Sequence, residues 1–178
     1  MKRWALLLGI MLGVMLLFSS AASAQGEGAK AEVFAGYSYI RANPGFGEPS
    51  FNMNGGSASV SFNPSSSFGI VADFGGYHAG SIAGEPVDAN FYTYLFGPKL
   101  AYRNDRFTPF VQALFGGIHA SGNGSSDNAF AMALGGGLDV NVTDHFGIRL
   151  IQAEYLMTRF SSETQNNARI SAGVVFRF

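Results

Sequence analysis

Arg169-Ile-Ser-Ala-Gly-Val-Val-Phe-Arg-Phe178 is the stretch whose reading decides the fold. Ile170, Ala172, Val174, Phe176 and Phe178 are apolar, and Arg169, Ser171, Gly173 and Arg177 interleave with them. A period of two defines a β-strand with one greasy face and one mostly polar face. On a soluble protein, a strand that stops on Phe-x-Phe is an open, adhesive edge. In a barrel closed on itself inside a membrane, the same strand seals the sheet and turns its phenylalanines to lipid.

Composition favours the second reading. Glycine supplies 24 of 178 residues, aromatics 14% and charged residues only 13%, which does not suit a water-facing surface. The chain opens with Lys2 and Arg3, an apolar run from Leu6 to Phe18, and an Ala22-x-Ala24 site. That is the pattern of a signal peptide over residues 1–24, leaving 25–178 as an outer-membrane β-barrel domain. The apolar run is shorter than the roughly 20 residues a spanning helix needs. Beyond it no apolar run approaches that length. Removing Lys2 and Arg3 takes the formal net charge from −1 to −3, so no basic field exists to recruit nucleic acid. The absence of cysteine excludes thiolate metal sites, cysteine catalysis and disulfides.

Alternation recurs through the chain. Val33, Ala35, Tyr37 and Tyr39 oppose Glu32, Phe34, Gly36 and Ser38, and Ala58, Val60 and Phe62 oppose Ser57, Ser59 and Ser61. A third strand sets Phe68, Ile70, Ala72 and Phe74 against Gly69, Val71, Asp73 and Gly75. A fourth sets Tyr92, Tyr94, Phe96, Leu100 and Tyr102 against Thr93, Gly97, Lys99 and Ala101; Pro98 lacks a ladder donor and predicts an irregularity. Val111, Ala113 and Phe115 mark a fifth strand, and Phe130, Met132, Leu134, Leu138 and Val140 a sixth. In the seventh, Phe146, Ile148 and Leu150 form the apolar set before the phase slips to Ile151, Ala153 and Tyr155. A β-bulge near Leu150–Ile151 accounts for the slip. Strands of roughly ten residues suffice to cross hydrocarbon at a tilt. Long loops are expected at Arg41–Asn52, Ala79–Asn90, Ala120–Asn128 and Thr158–Asn166, with tight turns at Asn63–Ser66, Asn104-Asp105 and Thr143-Asp144. The expected fold is therefore all-β, an eight-stranded antiparallel up-and-down transmembrane β-barrel, with long connections on one side and tight turns on the other.

The opening strand Glu32-Val-Phe-Ala-Gly-Tyr-Ser-Tyr39 and the ending Ser171-x-Gly173-x-x-Phe176-x-Phe178 resemble those of OmpA-like small outer-membrane β-barrels. The resemblance covers about Ala31–Phe178 and implies an address in the bacterial outer membrane. It also implies that Ser171, Gly173, Phe176 and Phe178 form a C-terminal insertion signal read by the barrel-assembly machinery. Many members carry a peptidoglycan-binding domain after the barrel; none is expected here, because the chain stops at the barrel.

The polar faces carry Glu32, Asp73, Lys99, Asp139, Arg149, Glu154, Arg169 and Arg177. Eight strands enclose a space just wide enough for side chains, so charges pointing inward must pair. A lumen charge network is expected, plugging the half nearer the tight turns. Two bands of membrane-interface aromatics are expected: Phe62, Phe68, Tyr102, Phe107, Phe146 and Phe178 near the turns, and Tyr37, Tyr39, Tyr92 and Tyr155 near the long loops. His78, Ser81 and Glu85 share one loop without a second element to orient them, which makes a poor catalytic set. His78, His119 and His145 are scattered and form no metal site, and Gly135-Gly136-Gly137 precedes no helix to cradle a phosphate.

No enzyme activity and no cofactor are expected. The expected role is structural or surface-interacting, with extracellular loops as the contact surface and outer-membrane lipid as the constant partner. The alternative is a narrow porin-like channel for ions or very small solutes. A lipid-modifying outer-membrane enzyme requires a nucleophile–base pair at the outer rim, which is not visible in the sequence. A soluble lipocalin-type barrel would reverse the two faces, apolar inward and charged outward.

Overall fold

The computed structural model describes residues 29–178, apart from 45–46, 48, 83, 123–124 and 161–162. The signal peptide expected over residues 1–24 lies outside the described residues. Every regular element described is a strand: β1 (Ala31–Ala42), β2 (Phe51–Phe62), β3 (Phe68–Ile82), β4 (Glu85–Ala101), β5 (Phe107–Gly122), β6 (Ser125–Asn141), β7 (Phe146–Phe160) and β8 (Glu163–Arg177). Each pairs antiparallel with its neighbour in sequence, and β8 returns to β1, closing the barrel. The seam runs from Glu32↔Arg177 to Arg41↔Ala168. Reciprocal backbone bonds between Ala31 and Phe178, at 3.2 and 2.9 Å, end it. Closure removes the exposed edge that Phe-x-Phe would otherwise leave open.

Alternation decides which way each side chain faces. Along β3 the apolar set Phe68, Ile70 and Phe74 is exposed on the outer wall, while Val71, Asp73 and Tyr77 are buried within. The phase slip in β7 is a bulge: Leu138 pairs with Ile151 but Asp139 pairs with Arg149. Leu150 and Ile151 are consecutive, and both face outward. Pro98 interrupts only one ladder. Its pairing with Ile70 on β3 is regular, whereas the β4–β5 ladder breaks after Phe96↔Phe115 and resumes at Lys99↔Gln112 without a change of register.

Three of the four expected long loops are corrected. Strands run 12 to 17 residues rather than about ten, because within Ala79–Asn90, Ala120–Asn128 and Thr158–Asn166 the β3–β4, β5–β6 and β7–β8 ribbons stay paired as far as Ile82↔Glu85, Gly122↔Ser125 and Phe160↔Glu163. The Gly, Ser and Asn in these segments read as loop because apolar alternation ends there. Beyond the hydrocarbon a ribbon needs no apolar face, and cross-strand pairing still satisfies its backbone. Gly84, with φ of 85°, takes the left-handed position that so short a β3–β4 reversal requires. Of the four, the β1–β2 connection keeps its loop character, between the paired Ala42 and Phe51.

Candidate functional site: the filled lumen and the outer wall

Glu32, Asp73, Lys99, Asp139, Arg149, Glu154, Arg169 and Arg177 are all buried inside the barrel. Arg169 is the largest fully buried side chain among the described residues. From β8 it donates through Nε to Glu154 Oε2 at 2.6 Å and through Nη1 across the lumen to Asp73 Oδ1 on β3 at 2.8 Å. Glu154 also accepts from Gln112 and Gln152, at 2.9 and 2.8 Å. Arg149 grips Asp139 with two donors, at 2.7 and 3.1 Å, and gives a third to Gln152 Oε1 at 2.6 Å. Nearer the turns, Lys99 donates to Glu32 and, at 3.1 Å, to Ser61 Oγ. Arg177 lies 3.7 Å from Glu32 and 3.5 Å from Asp139, linking the two groups. The result is an unbroken path of alternating charge and amide from Lys99 to Asp73. Each ion is desolvated, and its neighbours on the path offset that cost.

Several members of this path were not read from the sequence. Arg103, in the turn after β4, donates to Glu32 at 3.0 Å. The guanidinium of Arg149 sits between two aromatic rings, 4.4 Å from the centroid of Phe34 and 4.3 Å from that of Phe110. This flat cation stacked on ring faces is a stabilising cation–π arrangement. One signal existed: both phenylalanines fall in the polar phase of their strands, Phe34 with Glu32 and Phe110 with Thr108 and Gln112. The glycine triplet makes room for the network. A Cβ on Gly137 would meet the Phe110 ring at 2.8 Å, and one on Gly135 would meet the Glu154 side chain at 2.8 Å.

Toward the long hairpins the interior changes character. Ile40, Met53, Leu95, Leu114, Ile118 and Leu156 pack with Ala129, Ala131 and Ala133 into a buried apolar layer, with Phe51 and Phe91 against it. Tyr77 borders both layers, joining the apolar cluster while its hydroxyl lies 3.4 Å from Arg169 Nη1.

The outer wall is the inverse of the interior. Tyr37, Phe62, Phe68, Tyr92, Tyr102, Phe107, Tyr155 and Phe178 are exposed, and Tyr39 and Phe146 half-buried. Tyr37 and Tyr39 donate to Asn54 and Asn52, at 2.5 and 2.8 Å, and Tyr155 donates to Asn166. In the terminal strand, Ser171 faces inward and shares a 2.6 Å hydrogen bond with Ser38. Gly173 lies in the seam, where a Cβ would meet Gly36 Cα at 2.5 Å. Phe176 and Phe178 face outward, with Phe176 packed on Phe146 at 5.4 Å between ring centroids.

His78 lies 3.4 Å from Asn90 and 3.6 Å from Asp88, and among the described residues it makes no hydrogen bond to Ser81 or Glu85. His119 bonds Asn128 at 2.9 Å. Among the described residues no group of His, Asp and Glu has the proximity to hold a metal ion.

An apolar outside around a closed, ion-paired inside defines an integral membrane β-barrel, since only lipid tolerates that wall. The chain belongs to the outer membrane protein beta-barrel domain family, whose model matches residues 10–178. It is a protein of the bacterial outer membrane. Among solved structures it is similar to Neisserial surface protein A, with TM-score 0.67 and 16% identity over 84% of this chain and 98% of that one. It is similar to Ail, the attachment invasion locus protein of Yersinia pestis, with TM-score 0.55 and 20% identity over 84% and 99% of the two chains. The N-terminal β-barrel domain of Pseudomonas aeruginosa OprF gives 0.52 and 15% over 85% and 100%. At these identities the likeness is one of fold. No curated protein sequence matches the chain significantly.

Proposed function

We propose that this protein is a non-conducting, non-catalytic barrel of the outer membrane, with a structural and surface-interacting role and its extended hairpins as the contact surface. The observation that carries this reading is the cross-lumen tie of Arg169 to Asp73 and Glu154, with all three side chains at most 1% exposed. A solute passing that level would have to separate ions that have no water to replace their partners. The apolar layer of Leu95, Leu114, Ile118 and Leu156 closes the lumen a second time, by excluding water. In this reading residues 1–24 are the cleaved signal, the exposed aromatics are interface girdles, and Ser171, Gly173, Phe176 and Phe178 serve recognition by the barrel-assembly machinery. Planar-bilayer recording tests it: the expected trace is flat, and steady single-channel steps from the wild-type protein would overturn it.

One observation favours a narrow ion path instead. Arg169 Nη2 and Arg177 Nη1 and Nη2 are buried without a hydrogen-bond partner among the described residues. Spare donors of this kind let a charge exchange partners. If they gate a path, Asp73→Asn and Arg149→Gln alter the step size; in the non-conducting reading neither produces steps.

A further inference from the structure

Two arginines stand on the outer wall toward the long hairpins, Arg41 on β1 and Arg159 on β7. Among the described residues neither is ion-paired with a carboxylate. Their surroundings differ. Arg41 donates through Nη1 to Asn52 Oδ1 at 2.6 Å and through Nη2 to Ser50 Oγ at 2.8 Å. It therefore faces the surface as a held fork with further N–H donors that no described residue takes up. The β2–β3 ladder stops at Asn54↔His78, so the strands part above that pair. A polar notch of ≈ 310 Å³ fills the gap, lined by Arg41, Ser50, Asn52, Asn54 and Ser81 among others, with no carboxylate among the described residues that line it. Arginine has no acceptor, so the Asn52 atom it bonds is the oxygen. Tyr39 donates to that same oxygen, which leaves the Asn52 amide nitrogen as a donor. A notch rich in donors, with a positive fork and no acid among its described residues, matches an acceptor-only anion.

The wall below the notch favours a lipid over a soluble anion. Tyr37 and Tyr39 lie beneath it on the same wall, the residue type that sits at headgroup depth. Under Asn54 the outward positions are Gly56 on β2, paired with Gly76 on β3, and then Ala58. Bulky Tyr37 and Tyr92 flank these small residues. The wall therefore has a furrow, open sideways to the membrane, that leads up into the notch.

We propose that the β2–β3 notch binds the phosphate of a phosphorylated outer-leaflet lipid, with Arg41 as the charged fork and an acyl chain lying in the Gly56–Gly76 furrow. The assignment rests on the reading that the extended hairpins face outward. Native mass spectrometry tests it on full-length protein folded in detergent and incubated with a bis-phosphorylated lipid A, its dephosphorylated form, or phosphatidylcholine. Wild-type protein retains one phosphorylated lipid and neither comparison lipid. Arg41→Gln weakens retention at least about tenfold, as expected for hydrogen bonds to a charged group. Arg41→Lys keeps the charge but loses the fork and is intermediate. Arg159→Gln, which alters an arginine outside the notch, has no effect. Equal retention of the dephosphorylated lipid would overturn the proposal, as would an equal loss in Arg159→Gln. So would displacement of the lipid from wild-type protein by millimolar inorganic phosphate or a sulfated sugar, which would mark a soluble-anion site. The wild-type comparisons need no variant to fold, and the bilayer recording tests the closed lumen separately, so the two readings fail independently.

Discussion

The turn-side half of the lumen and the hairpin-side half are filled by opposite chemistries on the same strands. On β7, Arg149, Gln152 and Glu154 belong to the ion-paired half, and Leu156, two residues beyond, to the apolar one. The first half is held by long side chains that cross the lumen: Lys99 from β4 reaches Glu32 on β1, and Arg169 from β8 reaches Asp73 on β3. The second is held mainly by short apolar contacts, with Asn167 donating to Thr158 at 3.2 Å beside Leu156. The ion-paired half is specific and brittle, since removing one member strands another charge. The apolar half is forgiving, since a smaller residue leaves only a void.

The largest effect that could break this contrast is at Arg169. Arg169→Met leaves Asp73 and Glu154 without their shared cation and is expected to destabilise the barrel by about 3–5 kcal/mol. The shift in urea midpoint, followed by heat-dependent gel migration, measures it. The triple variant Arg169→Met, Asp73→Leu, Glu154→Met removes the stranded charges and should recover most of that loss; if it does not, the network is more than paired charge. Next in size is Leu114→Ala in the apolar layer, expected to cost about 2–5 kcal/mol. Its bilayer trace should stay flat, because the ionic half still closes the lumen. Single-channel steps in this variant would place the only real seal in the apolar half. Phe34→Leu keeps the volume approximately but removes one ring from Arg149, for a loss of about 0.5–2 kcal/mol in the same unfolding assay. The smallest effect is expected outside the lumen. Tyr155→Phe removes the hydroxyl bonded to Asn166 and should lower stability by no more than about 1 kcal/mol.

The parts that were legible are those written in one strand at a time. Alternation sorted Ile70 from Val71 and Leu134 from Ala133, and the phase slip after Leu150 located the bulge, because each depends only on the two-residue repeat. The hairpin ribbons were not legible. Above the hydrocarbon Ser121, Ser125 and Ser126 need no apolar alternation, so a paired strand and a loop look alike in sequence. Phe34 and Phe110 show the other limit. Both sit in the polar phase and were readable as inward-facing, but nothing in either strand reveals that Arg149 will lie between them.

The sequence by itself determined the eight strands, their inward and outward faces, the closing role of the last one and the lipid-facing wall. A repeat of two fixes orientation locally, and backbone groups within a membrane must all be paired, which leaves closure as the solution. Only the tertiary structure decided which charges meet, that Arg103 joins Glu32, that Arg149 stacks on two rings, and where β2 and β3 part to leave the Arg41 notch. Those outcomes depend on the stagger accumulated strand by strand around the closed sheet, which sets the height at which residues distant in sequence face one another across the lumen.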